Sequence, residues 1–367
     1  MLNLAKFGEI LKILILFFSF LLFGCASENT LSLIAVGDNL IHSKLIEGAH
    51  DKTAKSHDFK PYYRFIKDEI KDKDIKIINQ ETILIEDKKK LSGYPNFGSP
   101  LEVGEAVRDA GFNLIAHATN HALDKGEEGI LDSAKFWSGF EDITYIGISP
   151  DQNSSKIVKI LKKNNVSVAF LNYTYGLNGH IMPKGKGYLV DLLSDEEKIL
   201  SDLELAKKHA DFVVVLPHWG VEYTHKPTAA QKKQAQFLAN SGADLIIGTH
   251  PHVIQPLELI TTDDNRSVPC FYSLGNFISN QDESARMLGA MADIVIEKEG
   301  NATKIKSLRA VPLITHISPY SHDFSVHLLA HYPEMLAMTH RLRRVGDFKT
   351  ENLKTLWNSV FPEFEIK

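Results

Sequence analysis

Five short apolar runs set the frame of this chain: LSLIAVG (31–37), IKIIN (75–79), FNLIAHA (112–118), FVVVLPH (212–218) and DLIIGTH (244–250). Each is apolar on consecutive rather than alternate positions, the pattern of a strand buried on both faces. Segments of helical pattern lie between them at 101–110, 127–138, 194–209 and 228–241. Strands alternating with helices predict an α/β protein with helices layered on sheets, and argue against a bundle or an all-β sandwich. Further strands at 157–172, 268–274 and 290–313 have no long helix between them, so the central sheets are expected to be mixed. At 367 residues, 44% of them hydrophobic, the chain can bury one large core or two modest ones.

The first thirty residues lie outside that pattern. Lys6 and Lys12 precede ILILFFSFLLF, an apolar run shorter than the ~20 residues that span a bilayer. Residues 1–24 read as a signal peptide. LFGC, ending at Cys25, looks like a bacterial lipobox, which makes Cys25 the lipidated residue and residues 25–30 a short tether. The expected location is therefore outside the cytoplasm, anchored by lipid to the bacterial cell membrane or outer membrane. A plain signal peptide is the alternative. Cys270 is the other cysteine, so a lipidated Cys25 leaves no intramolecular disulfide. No linker breaks residues 31–315, which read as one domain, and 316–367 reads as a helical C-terminal appendage. A net charge of −5, with no basic stripe beyond Lys88, Lys89 and Lys90, argues against a nucleic-acid partner.

The chemistry sits at the strand ends. DAGFNLIAHATNH (109–121) and NSGADLIIGTHPH (240–252) share one plan: a helix closing on glycine, an apolar strand, then a loop ending in histidine. HADFVVVLPHWG (209–220) repeats it without the glycine. Ligands of α/β sheets bind beyond the carboxyl ends of strands. That edge collects Asp38, His42, Glu81, Asn120, His121, His218, His250 and His252, with Asn79 at the end of its strand beside Glu81. Singly, each has a plain reading: His218 as a packed histidine, Asn79 as a cap, Glu81 as a surface carboxylate, Asp38 as a loop residue. Five strands delivering such residues to one edge point instead to a metal set. Carboxylate, amide and imidazole ligands suit Mn, Fe or Zn, and a shared carboxylate suits two divalent ions about 3.5–4 Å apart. The proline of HPH is expected to hold His250 and His252 on one side of an extended tripeptide. Tyr173, Tyr175 and Asn178 of NYTYGLNG, Trp219 and Glu222 after His218, and Asn276 of SLGNF are candidates for substrate contact. Packing is the alternative for the aromatic residues, and a turn for Asn276.

GDNLIH, INQE, ATNHALDKG, LPHWGVEY, GADLIIGTHPHVIQPLE and FYSLGNF, in that order, resemble the CapA family associated with poly-γ-glutamate capsule synthesis. The domain of that family is related to the calcineurin-like metallophosphatases. The resemblance covers roughly residues 31–315. It departs from the family at Thr119, where Asn is usual, and at Thr249, where His is frequent. It implies a layered metallophosphatase-like sandwich of mixed sheets flanked by helices. It also implies Asp38 and His252 on one metal, Asn120, His218 and His250 on the other, and Glu81 between them. His42 is a further implied ligand, although its spacing from Asp38 exceeds the DxH of the wider superfamily. The resemblance gives His121 the role of acid or electrostatic stabiliser, its ring oriented by Asp124 or another carboxylate.

Two classes of function fit these residues. One is a metal-dependent hydrolase or transferase, acting on phosphoesters or γ-glutamyl amides, in the biosynthesis of a capsule or another cell-envelope polymer. The other is a module that binds or tethers such a polymer without chemistry. A phosphoesterase unrelated to capsule is a variant of the first. The partners expected are an envelope polymer or phosphoester substrate and, on the capsule reading, membrane capsule-synthesis proteins. Fold by itself does not choose among them.

Overall fold

The computed structural model describes residues 29–319, 323–344 and 348–364. The predicted signal peptide and Cys25 lie outside the described residues. Among the described residues no helix is long and apolar enough to cross a membrane.

Two mixed sheets carry the chain. The first runs in the order Phe324–Leu328, Ala302–Ile317, Leu288–Glu299, Thr30–Asn39, Ile75–Gln80, Leu114–Ala116, Thr144–Ile146. Its last four strands are parallel and the preceding ones return antiparallel. The second runs Ile254–Thr261, Ser267–Leu274, Leu245–Ile247, Phe212–His218, Val166–Thr174, Lys159–Lys163, parallel at its centre and antiparallel at both edges. The expected α/β class with mixed sheets is what the structure shows.

Side-chain alternation explains the layering. In the second sheet Val168, Phe170, Val214 and Leu216 join the same buried core as Leu33, Ile77 and Ile115 of the first sheet. Their neighbours Ala169, Leu171, Tyr173, Val213 and Val215 turn away, to pack with Leu203 and Ala206 of the helix Glu196–His209 and Leu238 of the helix Ala229–Ser241. That second helix starts on a capping box: Thr228 accepts from the Gln231 amide, and the Gln231 side chain accepts from the Thr228 amide. On the first sheet, Tyr63, Ile66 and Ile70 of Lys60–Ile70 and Val103 and Val107 of Leu101–Asp109 bury their apolar faces in the shared core.

Some elements differ from the sequence reading. Lys60–Ile70 and Ser43–Ala49 are helices that the apolar runs did not announce. Residues 157–172 and 290–313 each fold as a hairpin rather than a single strand, the first turning at Asn164 and Asn165, both at positive φ. The helical appendage expected from residue 316 does not stand apart. Phe324–Leu328 is the edge strand of the first sheet, and Phe348, Leu353, Trp357 and Phe361 enter the main core. The polar helix-like pattern hid a two-sided burial: Phe324 and Val326 are buried on one face of that strand, and Ser325 and His327 on the other.

Candidate functional site

The parallel strands of both sheets end at one edge, and glycines let them close on it. A Cβ on Gly37 would lie 1.8 Å from the Gly275 carbonyl oxygen, so glycine alone allows the close approach in which the Asp38 amide donates to that oxygen at 3.0 Å. A Cβ on Gly248 would lie 2.2 Å from the Tyr272 carbonyl oxygen, which fixes where the HPH loop departs. Asn172 ties the two sheets together here: its side-chain oxygen accepts from the amides of His117 and Ala118 at 2.8 and 2.6 Å.

Glu81 is the centre of the edge. It is fully buried, and neither carboxylate oxygen has a hydrogen-bond partner among the described residues. Three overlapping groups of side chains offer ligand atoms within 4.8 Å of one another: Asp38, Glu81 and His252; Glu81, His218 and His250; and Glu222, His250 and His252. The His250 Nδ1 and Asn79 Oδ1 atoms are also buried without partners. Buried polar groups are seldom left unpaired, and both oxygens of this carboxylate with two further such atoms beside it fit a bound cation. Burial pushes the Glu81 carboxyl well above the usual carboxylate range. Burial also holds His218 and His250 neutral, the state in which imidazole ligates. Burial opposes the charge on His252 too, but Glu81 and Asp38 outweigh it and raise His252 to about 9. A cation here would supply positive charge to an acid that burial disfavours as a bare carboxylate.

The surrounding contacts orient these groups. The Asn79 amide donates to Asp38 at 2.8 Å, and His252 Nδ1 lies 3.1 Å from both Asp38 and Asn276. His218 Nδ1 meets Thr249 Oγ1 at 2.9 Å, and its Nε2 faces Asn120 Oδ1 at 2.8 Å. Thr119 Oγ1 donates to the Glu81 carbonyl oxygen at 2.7 Å. The two threonines that depart from the family pattern thus hold His218 and the Glu81 backbone. His121 Nδ1 sits 2.7 Å from Asp124, which also accepts from the Phe97 amide, while Asn178 lies 3.3 Å from the same ring. Tyr175 packs over His250 with ring centroids 4.6 Å apart.

Four sequence expectations are corrected. His250 and His252 do share one side of the loop, with ring centroids 5.8 Å apart, but the tripeptide is not extended: both have positive φ, 101° and 59°. Such backbone is uncommon outside glycine and collects at functional sites. His42 falls outside all three groups; its Nδ1 accepts from the Asn280 amide at 3.2 Å and burial lowers its pKa to about 4. Tyr173 faces the helices because strand alternation points 172 and 174, not 173, toward the other sheet, and its hydroxyl donates to Asp202 at 2.9 Å. Trp219 is core, its Nε1 donating to the Tyr272 carbonyl oxygen at 2.9 Å.

An open cleft of about 610 Å³ leads to this edge, lined by His42, His121, Glu222, Tyr223, His252 and Arg341 among others. Asn280 and Gln281 form part of its wall. The sequence reading missed Arg341 because it lies in the segment taken for an appendage, and passed over Asn172 of NYTYGLNG because the facing direction of its strand is not written in the motif.

Comparison with known proteins gives this edge a lineage. The family described as bacterial capsule synthesis protein PGA_cap matches residues 32–281. The PGA biosynthesis protein CapA of Bacillus subtilis (strain 168) is 35% identical over 197 residues, 53% of this chain and 50% of that one. The capsule biosynthesis protein CapA of Bacillus anthracis is 31% identical over 240 residues, 64% of this chain and 56% of that one. The chain thus spans about half the length of the curated relatives it matches. Among solved structures, a phosphatase from Mycoplasma pneumoniae covers 78% of this chain and 94% of its own at 14% identity and a TM-score of 0.46. The calcineurin-like phosphoesterase YfkN of Bacillus subtilis covers 89% and 99% at 13% identity and 0.41. The metal reading rests on the chain's own residues, and with two thirds of the chain inside the family match, this protein belongs to the bacterial capsule synthesis family PGA_cap.

Proposed function

We propose that this chain is an envelope-anchored hydrolase or transferase of capsule-polymer biosynthesis, working on a γ-linked glutamate polymer through two divalent ions that share Glu81. The observation that carries the reading is the Glu81 carboxylate, buried with both oxygens unpartnered between the Asp38–His252 and His218–His250 pairs. One ion would be held by Asp38, Glu81 and His252, the other by Glu81, Asn120, His218 and His250. Mn, Fe and Zn all suit that donor set. When bound, such ions supply Lewis acidity toward a developing oxyanion and lower the pKa of adjacent water. The chain's own residues supply the proton traffic: Asp124 fixes the His121 ring through Nδ1, leaving Nε2 to protonate a leaving group in the cleft. Glu222 lines the cleft, Tyr175 packs on His250, Asn178 lies against His121 and Asn276 against His252, and these four are proposed to position substrate.

The test is a panel of γ-glutamyl peptides and phosphoesters offered to the purified domain with and without chelator. Turnover of a γ-glutamyl compound, abolished by chelation and restored by a divalent ion, supports the reading. Turnover of phosphoesters alone makes this a phosphoesterase, and binding of γ-linked glutamate without turnover of any compound makes it a tethering module. Anchoring at Cys25 is proposed on LFGC after the apolar run; two acyl chains give stable attachment where one is marginal. A Cys25→Ser variant should appear in the soluble exported fraction or remain unprocessed, and unchanged fractionation refutes the anchor.

A further inference from the structure

Arg341 has the surroundings of a ligand-binding residue rather than of a structural one. It is half-buried in the wall of the cleft. Its guanidinium donates to the Asn280 side-chain oxygen at 2.6 Å and to the carbonyl oxygens of Asn280 and Gln281 at 3.5 and 3.0 Å, all neutral acceptors. Arg64, Arg108, Arg266, Arg286 and Arg309 each have a carboxylate within 4.0 Å, whereas Arg341 forms no ion pair among the described residues. Asp282, the acid next along the cleft wall, is engaged by Arg286 at 3.2 Å, and Arg286 in turn lies over the Tyr223 ring at 3.7 Å. The cleft therefore holds one guanidinium aimed by its contacts that, among the described residues, has Asp282 nearby but no carboxylate in direct ion pair with it.

Those contacts also connect Arg341 to the metal edge. The Asn280 amide donates to His42 Nδ1 at 3.2 Å while the Asn280 side chain accepts from Arg341. Residues 280–281 thus form a brace between His42, after the first strand, and Arg341, in the C-terminal segment. Arg341 lies outside residues 32–281, so this wall of the cleft is supplied by sequence beyond the family match.

We infer that Arg341 forms an oxyanion subsite, separate from the metal cluster, that takes a side carboxylate of a γ-linked glutamate chain while another part of the chain lies at the metals. This rests on the substrate class proposed above. A guanidinium presents its donors in a fork that matches a carboxylate, and charge-assisted hydrogen bonds of this kind are stronger than neutral ones. In a γ-linked polymer the amide bonds occupy the side-chain carboxyls, so a free α-carboxylate recurs at every residue. A chain crossing the cleft therefore offers a carboxylate away from the bond being worked on.

The experiment is calorimetric binding to the metal-loaded protein, with two probes: a γ-linked glutamate trimer, and the same trimer with its α-carboxylates converted to carboxamides. Metal content and melting temperature are recorded for each variant. The wild type is expected to bind the trimer more tightly than its carboxamide, and Arg341→Gln to lose about 10-fold or more in trimer affinity, as expected for a charged hydrogen bond. Arg341→Gln should bind the carboxamide as the wild type does, and Arg341→Lys, which keeps the charge, should recover part of the loss. A merely structural role for Arg341 would weaken both probes together. If Arg341→Gln binds the trimer like the wild type, the subsite is overturned and the substrate class stands. If the wild type binds neither probe, the substrate class fails and takes the subsite with it.

Discussion

Two clusters of buried histidines lie in this molecule, and they are built on opposite principles. At the strand edge, His218, His250 and His252 surround Glu81 and Asp38, and four buried polar atoms there lack partners. In the C-terminal part, His316, His327 and His340 pack with Tyr332 and Phe348. There His316 Nδ1 meets the Tyr332 hydroxyl at 2.7 Å, His327 Nε2 the Ser325 hydroxyl at 2.8 Å, and His340 Nε2 the Thr315 carbonyl oxygen at 3.2 Å. None of these rings contributes to a metal-binding group among the described residues. A count of buried histidines would rank the clusters alike. Carboxylates inside the cluster and atoms left unsatisfied separate a ligand set from a packing set, because the first is incomplete without a cation and the second is complete as it stands.

Breaking the edge cluster should have the largest effect. His250→Ala or His252→Ala is expected to lose bound metal and activity together, by more than the roughly 10- to 100-fold that removing a mere outer-shell partner costs in metal affinity. Elemental analysis and turnover of the same preparations check this. His121→Gln should come next: metal retained, kcat down by about 10²- to 10⁴-fold, as for loss of a positioned acid. Metal lost along with rate in that variant would place His121 among the ligands instead.

The packing cluster should answer in stability instead. His340 stacks on Phe348 with ring centroids 3.7 Å apart, and His340→Gln is expected to cost about 1–3 kcal/mol in urea unfolding while leaving metal content unchanged. The pH dependence sharpens the contrast. Burial lowers His316 and His327 to about 4 and His340 to about 3, from an ordinary value of 6.5. As pH falls below 6.5 the unfolded chain takes up these protons before the folded one does, so stability should decline between about 6.5 and 3 and then level off. His252 is shifted the other way, to about 9, so in the chelated protein its contribution is present below 6.5 and lost as pH rises toward 9. Denaturation midpoints of chelated protein at pH 5, 7 and 9 check both signs. His340→Gln should show a shallower loss between pH 7 and 5. The smallest effect is expected at Thr249: Thr249→Val frees His218 Nδ1 and should weaken metal binding about 10-fold.

The strands and the convergence of their ends were legible because both follow from local pattern. Apolar runs fix buried strands, and parallel strands in layered sheets end on one edge, so Asp38, Glu81, Asn120, His218, His250 and His252 could be collected without coordinates. What was not legible depends on tertiary detail. Tyr173 and Asn172 are neighbours in one motif, and only the strand's facing direction sends one to the helices and the other to the edge. The positive φ at His250 and His252 cannot be read from a proline between them. Arg341 and the packing histidines sit in a segment whose polar composition concealed an edge strand and a core contribution.

On the proposed function, Glu81 joins two divalent ions at the strand edge. The most direct measurement is the metal stoichiometry of the reconstituted domain, by elemental analysis, in the wild type and in Glu81→Gln. Close to two ions per chain are expected in the wild type and one or none in the variant, with the variant's metal-free fold about as stable, because one unpartnered buried acid gives way to a neutral amide. A wild type that binds no ion after reconstitution, or a Glu81→Gln variant that keeps the full complement, would contradict it.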